Sequence, residues 1–311
     1  MNNVNTLSIL DPPLLIMHES AHLLYLEALT AVCNGEETNS VKNNRSVGSF
    51  WGTKERPTRE IRYATLILNN SRHRMVASPF FNLEKILPRT ILATLSDEIY
   101  VDALAFYDPK AVEFSENGKV ISTNYGYRIR HLDQIDQIQQ VIKQLKDDPF
   151  TRRAIIHIHS PHDAECKYNP CIDSIHFLIR NGVLECRTSW RSENALTLLP
   201  LNIFEFSMLQ ELIASELGIP PGRYVHTVSS LHIYLDDLER AQTVLQSMSS
   251  LPSPPEMASM PKHSLKQIDL IRNIEKKWRT EKALDDEWGN LSSYWQDIAT
   301  SIEKAIKSRL R

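Results

Sequence analysis

The sequence predicts an α+β fold in one large domain, and three observations carry that prediction. Asn181-Gly182 lies between two alternating runs, SIHFLIR and VLECRTSWR. Both central residues of a two-residue type I′ turn need φ > 0, so the pair marks an antiparallel hairpin. Ile135, Ile138, Val141, Ile142 and Leu145 recur at the spacing of one helical face. Strand-like and helix-like stretches are interleaved along 311 residues, enough chain for a substantial core.

Taken in order, residues 14–32 (LLIMHESAHLLYLEALTAV) read as a helix, part of an N-terminal helical extension over 1–40. The polar stretch 34–60 reads as a loop. IRYATLILNN (61–70) reads as a strand, β-branched and aromatic before an Asn-Asn-Ser breaker. Residues 83–107 read as helical. The amphipathic helix over 133–145 stops before Asp148-Pro149, and RRAIIHIHS reads as a strand. After the hairpin, IFEFSMLQELIASEL reads as a helix that ends at Gly218, and RYVHTVSSLHIYL returns to strand. The Pro/Ser stretch 250–261 is a connector. Too little chain follows it for a second core, so helices near 264–284 and 291–309 form a C-terminal appendage (262–311) on a single domain spanning 1–311.

A formal net charge of -3 argues against a nucleic-acid polymer as partner, while leaving room for a small anion held by a few arginines. No apolar run reaches bilayer length, and no basic flank with an apolar core marks a secretory signal, so no membrane role is expected. Four cysteines without a C-x-x-C pair suit a reducing cytoplasm.

Cys171 is the candidate of most chemical interest. In an unbroken hairpin ladder it faces Ser192 and sits beside Arg191, where a guanidinium favours the thiolate and lowers the thiol pKa. A buried, inert cysteine is the alternative. Metal readings are weaker. Pro170-Cys171 lacks the second cysteine of a zinc deaminase motif. His157, His159, His162 and Cys166 scatter as easily as they gather. HESAH at 18–22 fits H-E-x-x-H, two histidines on one helical face, with no further metalloprotease signature. No metal is expected.

The segments DPFTRRAII, NPC and FLIRNGVLECRTSWRSENALTLLPLNIFEFSMLQELIASELGIPPGRYVHTVSSLHIY resemble, in order and spacing, the thymidylate synthase superfamily, which includes the pyrimidine nucleotide hydroxymethylases. NYGYRIR (124–130) is similar to that family's Tyr-Gly-x-x-x-Arg segment, and SSYWQDIATSIEKAIKSRLR looks like its longer, hydroxymethylase-like branch. The likeness is strong from about 120 to 240. It implies a thymidylate synthase-like fold, a mixed twisted β-sheet packed with helices.

The resemblance also implies a function: one-carbon transfer (methylation or hydroxymethylation) to C5 of a pyrimidine nucleoside monophosphate, through a covalent Cys-C6 adduct. The one-carbon donor would be 5,10-methylenetetrahydrofolate, and the setting modified-nucleotide or nucleoside natural-product metabolism. By the same resemblance Cys171 is the nucleophile, Tyr125 lies near it and the C5 proton, and Arg191 and Ser192 hold the phosphate. Arg152 and Arg153 reach the phosphate from the partner of a homodimer, and Arg56 joins them from a loop. Asn202 reads the pyrimidine edge, and His232 with Tyr234 holds the ribose 3′-hydroxyl.

Several positions depart from the family pattern. Thr90 stands where the family has a general-base glutamate, Ile172 where it has a histidine, and Ser230 where an aspartate contacts the pterin. Asn194 and Leu198 replace an aspartate and a glycine on the folate side. These losses fall mainly on folate binding and proton transfer. They leave two alternatives open, a folate-independent reaction through the same cysteine and a non-catalytic nucleotide-binding homologue.

Overall fold

The computed structural model describes residues 13–38, 56–115, 117–166, 168–281 and 287–310. Eight strands among them form one mixed sheet. Strand β1 (Leu15–His18) and helix α1 (Ala21–Cys33) come first, followed by β2 (Glu36–Thr38) and β3 (Thr58–Leu68). Helix α2 (Leu83–Arg89) runs into a π-helical turn at Thr90–Leu95, and α3 (Val101–Tyr107), α4 (Tyr125–His131) and α5 (Gln137–Asp147) follow. Then come β4 (Ile155–His157), the hairpin β5 (Ile172–Arg180) and β6 (Val183–Trp190), β7 (Glu193–Asn194), α6 (Leu199–Leu217), the long β8 (Pro221–Tyr234) and α7 (Leu238–Ser249). Helices α8 (Leu265–Glu281) and α9 (Ser293–Leu310) complete it.

The sheet runs β1-β3-β8-β6-β5-β4, with β2 on β3 and β7 on β8. β1 is parallel to β3, and β8 is parallel to β6 and β7; the other pairs are antiparallel. Period-two alternation separates the faces. Ala64, Leu66, Leu68, Tyr224, His226, Val228, Cys186 and Trp190 are buried on one of them. Against that face lies α6, buried almost all round, as befits a central helix. The other face keeps Leu15, Met17 and Tyr63 exposed.

Asn181 (φ 51) and Gly182 (φ 76) make the hairpin turn, and Gly218 (φ 70) ends α6, both as the sequence predicts. Other expectations change. Residues 14–32 are not one helix. Leu15–His18 pair with β3, and Ser20 caps α1 by accepting a hydrogen bond from Leu23 N. The apolar LLIM segment thus forms an edge strand, and α1 buries Leu24, Tyr25, Ala28 and Leu29 in the core. Residues 1–12 of the expected extension lie outside the described residues, as do 39–55 of the expected loop, whose flanks form β2 and the start of β3. The stretch 83–107 breaks into α2, the π turn and α3; Pro88, without a donor N–H, lies just before the widened turn. The Pro/Ser connector is pinned to residues 70–73, with Met257 N donating to Arg72 O (3.1 Å). Trp278, Trp295, Ile298, Ile302 and Ile306 bring the last two helices into the same hydrophobic core as Ile16.

Gly126 is needed where α4 meets the π turn. A Cβ there would stand 1.9 Å from the Ser96 carbonyl oxygen. That close approach brings Tyr125, the first residue of α4, over the buried face of the sheet. No helix among the described residues is long and apolar enough to cross a membrane.

Candidate active site

The hairpin ladder does not run unbroken to Cys171. Arg180 faces Val183 and the register holds to Ser174 opposite Ser189, but Ile172 faces Trp190. Asp173 is the extra residue of a bulge, and its carbonyl accepts from Ile158 N (3.0 Å) and His159 N (3.2 Å). The one-residue slip sets Cys171 opposite Arg191 rather than Ser192. Arg191 N donates to Cys171 O (2.9 Å). The guanidinium is fixed by Nε donating to Pro170 O and Nη2 to Asn169 O, both 2.9 Å, and Nη2 reaches Cys171 Sγ at 3.7 Å.

The expected lowering of the thiol pKa is overturned. Burial pushes the Cys171 thiol up; Arg191 opposes this, while Glu193 and Asp173 add to the rise. Desolvation of a thiolate outweighs one guanidinium contact here. The residue as a whole is half-buried.

An aromatic layer lies behind the thiol. Trp190 stacks on His226 (5.0 Å, 27°) and meets Phe206 (5.3 Å) and Tyr125 (6.1 Å) edge-on. The Tyr125 hydroxyl is pushed well above its ordinary range by burial and by the neighbouring Cys171 and Glu193, with Arg89 opposing. Two carboxylates sit in this layer. Glu193, 2% exposed, accepts from Asn202 Nδ2 on both oxygens (3.0 and 2.9 Å) and faces His226 Nε2 at 3.4 Å. Glu205 pairs with Arg89 (3.0 Å) and accepts from Thr94 Oγ1 (3.1 Å). Burial raises the Glu205 pKa, and Arg89 and Thr94 hold it back. Thr90 is fully buried, and its hydroxyl has no partner among the described residues.

Ser192 and His232 meet at 3.5 Å, Oγ to Nδ1, and burial lowers the His232 pKa. His232 and Tyr234 alternate along β8, rings 5.4 Å apart. Arg56 lies over the Tyr234 ring (3.8 Å), its Nε donating to Asp236 at 3.0 Å. Arg152 and Arg153 lead into edge strand β4, exposed beside Phe150. No hydrogen bond, ion pair or ring contact among the described residues joins them to the Cys171 cluster. On the side expected to face folate, Asn194 Oδ1 is taken up by Thr197 N (3.0 Å) and Oγ1 (3.1 Å), and Leu198 is 38% exposed. His18 ends β1 while His22 is buried in α1 accepting from Ala77 N (3.3 Å), so the two do not share a helical face.

A single chain therefore gathers Cys171, Tyr125, Arg191, Ser192, Asn202, His232 and Tyr234, with Arg56 at the rim, but not Arg152 or Arg153. The sequence reading passed over Glu193, Glu205, Arg89 and His226. A signal existed for Glu205, three residues after Asn202 and so on the same helical face. Glu193 follows Arg191-Ser192 directly, but its burial is set by strands distant in sequence.

The model of the family described as thymidylate synthase matches residues 94–276, more than half of the chain. A thymidylate synthase from Mycoplasma pneumoniae is 34% identical over 136 residues, 43% of this chain and 46% of that protein. The chain thus spans just under half the length of that relative.

Proposed function

The chain belongs to the thymidylate synthase family, and on that premise we propose that it binds a pyrimidine nucleoside monophosphate and transfers a one-carbon unit to C5 through a bond between Cys171 and C6. The observation that carries this reading is the Arg191 guanidinium, clamped by two carbonyls and 3.7 Å from the thiol sulfur. Its Nη1 has no partner among the described residues and can meet a phosphate oxygen. Ser192 adds a hydroxyl, His232 and Tyr234 offer polar groups to a sugar, and Tyr125 neighbours the thiol. Arg56 is held by Asp236 and would join the phosphate only by exchanging that partner.

In this reading the deprotonated sulfur adds to C6, and the C5–C6 π pair moves to C5 and O4. C5 then attacks the one-carbon unit as that unit's bond to its donor breaks, the donor leaving with the electron pair. C5 loses its proton, and the pair released there expels the sulfur from C6 as thiolate and restores the ring. Whether the unit ends as methyl or hydroxymethyl belongs to the same proposal, as does a role in modified-nucleotide or nucleoside natural-product metabolism. A cytoplasmic setting is part of the same proposal, supported by the absence of a disulfide at Cys33, Cys166, Cys171 and Cys186 among the described residues.

In the family the donor is methylenetetrahydrofolate. The residues here do not fit a pterin as a carboxylate would: Asn194 spends its acceptor on Thr197, Ser230 carries no charge, and Leu198 adds a side chain where the family has a glycine. No step is routed through a folate, and this misfit favours a second reading, a folate-independent reaction at C5. One experiment addresses both. In D2O, addition at C6 alone should exchange the C5 hydrogen of a uridine or cytidine monophosphate, read by proton NMR. Product masses with and without methylenetetrahydrofolate then identify the donor. Absence of exchange and of any new product, with every pyrimidine monophosphate, would leave a binding protein only.

A homodimer is part of the proposal. It is supported by the open sheet face with Leu15 and Met17, and by Arg152 and Arg153 exposed beside Phe150, which is 76% exposed. A mixture of Cys171→Ala and Arg153→Ala chains should regain about a quarter of wild-type activity, the random-mixing share of intact sites in a symmetric dimer. A monomer in sedimentation, or no recovery from the mixture, ends the shared-site idea.

A further inference from the structure

We propose that Glu193 is a specificity-determining positioning residue: it locks the Asn202 amide in one orientation and so makes the site take uracil in preference to cytosine, an inference that rests on the nucleotide reading above. A free asparagine side chain can turn either end of its amide towards a base. A carboxylate can only accept. Both Glu193 oxygens take Asn202 Nδ2, at 3.0 and 2.9 Å, so the nitrogen end is committed to Glu193. The amide oxygen faces away and has no hydrogen-bond partner among the described residues.

The lock is itself held. Glu193 pairs through β7 with Leu231 of β8, directly after Arg191 and Ser192. His226 Nε2 stands 3.4 Å from its Oε2. The other ring nitrogen of His226 meets the Tyr224 hydroxyl at 3.0 Å, and the ring stacks on Trp190. With that hydroxyl donating to Nδ1, the imidazole proton sits on Nε2, on the side of the Glu193 carboxylate. Glu193, Asn202 and His226 are 2%, 3% and 0% exposed, so water does not compete for these contacts.

N3 of uracil carries a hydrogen, whereas N3 of cytosine carries a lone pair. A fixed acceptor pairs with the first and repels the second. Wild type should therefore bind a uracil monophosphate at least about tenfold more tightly than the matching cytosine monophosphate, the scale of one buried polar group left unpaired. Glu193→Gln keeps the side-chain shape but can donate as well as accept, so it tolerates either amide orientation. Calorimetry on this variant should show the preference falling to within about threefold, with ribose 5-phosphate (a probe without a base) binding as in wild type. A Glu193→Gln protein that keeps the preference, or a wild type that binds both bases equally, overturns the lock and leaves the nucleotide reading standing. Loss of ribose 5-phosphate binding in the variant means Glu193 only supports the fold, and also overturns it. A wild type that binds no pyrimidine monophosphate overturns the nucleotide reading and this inference with it.

Discussion

Cys171→Ala is expected to abolish C5 hydrogen exchange and product formation, by at least about 10³-fold, because no other group can take over a covalent bond to C6. Nucleotide affinity should stay within about threefold of wild type, since the proposed phosphate and sugar contacts lie on Arg191, Ser192 and His232. Iodoacetamide offers a second readout. Burial raises the Cys171 pKa, so the thiol should react more slowly at pH 7 than an unperturbed cysteine. The rate should climb as pH rises through that elevated value, because the thiolate is the reacting form. A bound monophosphate should shield it. Exchange activity in Cys171→Ala above a tenth of wild type would remove the cysteine from the mechanism.

The largest stability effect should come from the opposite end of α6. Arg74 is fully buried and pairs with Glu211, itself 2% exposed and accepting from Met260 N at 2.8 Å. Arg74 Nε and Nη1 have no partner among the described residues. Glu211 is thus the counter-charge, among the described residues, of a guanidinium with no access to water. Glu211→Leu should cost about 3–5 kcal/mol, because the charge left behind is buried and uncompensated. The double variant Arg74→Met/Glu211→Leu should recover most of that loss, since a well-packed apolar pair of similar volume is often as stable as a buried ion pair. Urea unfolding midpoints with an unchanged slope would measure both. A double variant as unstable as the single one would mean that the packing around α6, not the unpaired charge, set the cost.

Much of the fold is legible in local sequence. Asn181-Gly182 specifies its turn because glycine and asparagine tolerate φ > 0, and Gly218 ends α6 for the same reason. The periodicity of residues 135–145 gives α5 to within a few residues. By contrast, LLIM at 14–17 carries no signal that separates a strand from a helix turn. It is a strand because β3 offers it a parallel edge, a contact made across about fifty residues of chain.

The site divides along the same line. The sequence by itself determined that Asn202, His232 and Tyr234 fall on a helix and a strand, and that Cys171, Arg191 and Ser192 flank the hairpin strands, because the periods of those elements are local properties. Only the tertiary structure decided the bulge at Asp173, which turns Cys171 to face Arg191, and the reversal of the expected thiol pKa. It alone brought Glu193, hydrogen-bonded to Asn202, to within 3.4 Å of His226, from β7, α6 and β8. Burial and register are sums over contacts between distant segments. A residue's type shows what chemistry it can offer, but desolvation and the partners that set its charge and orientation exist only once the sheet and α6 have closed over it.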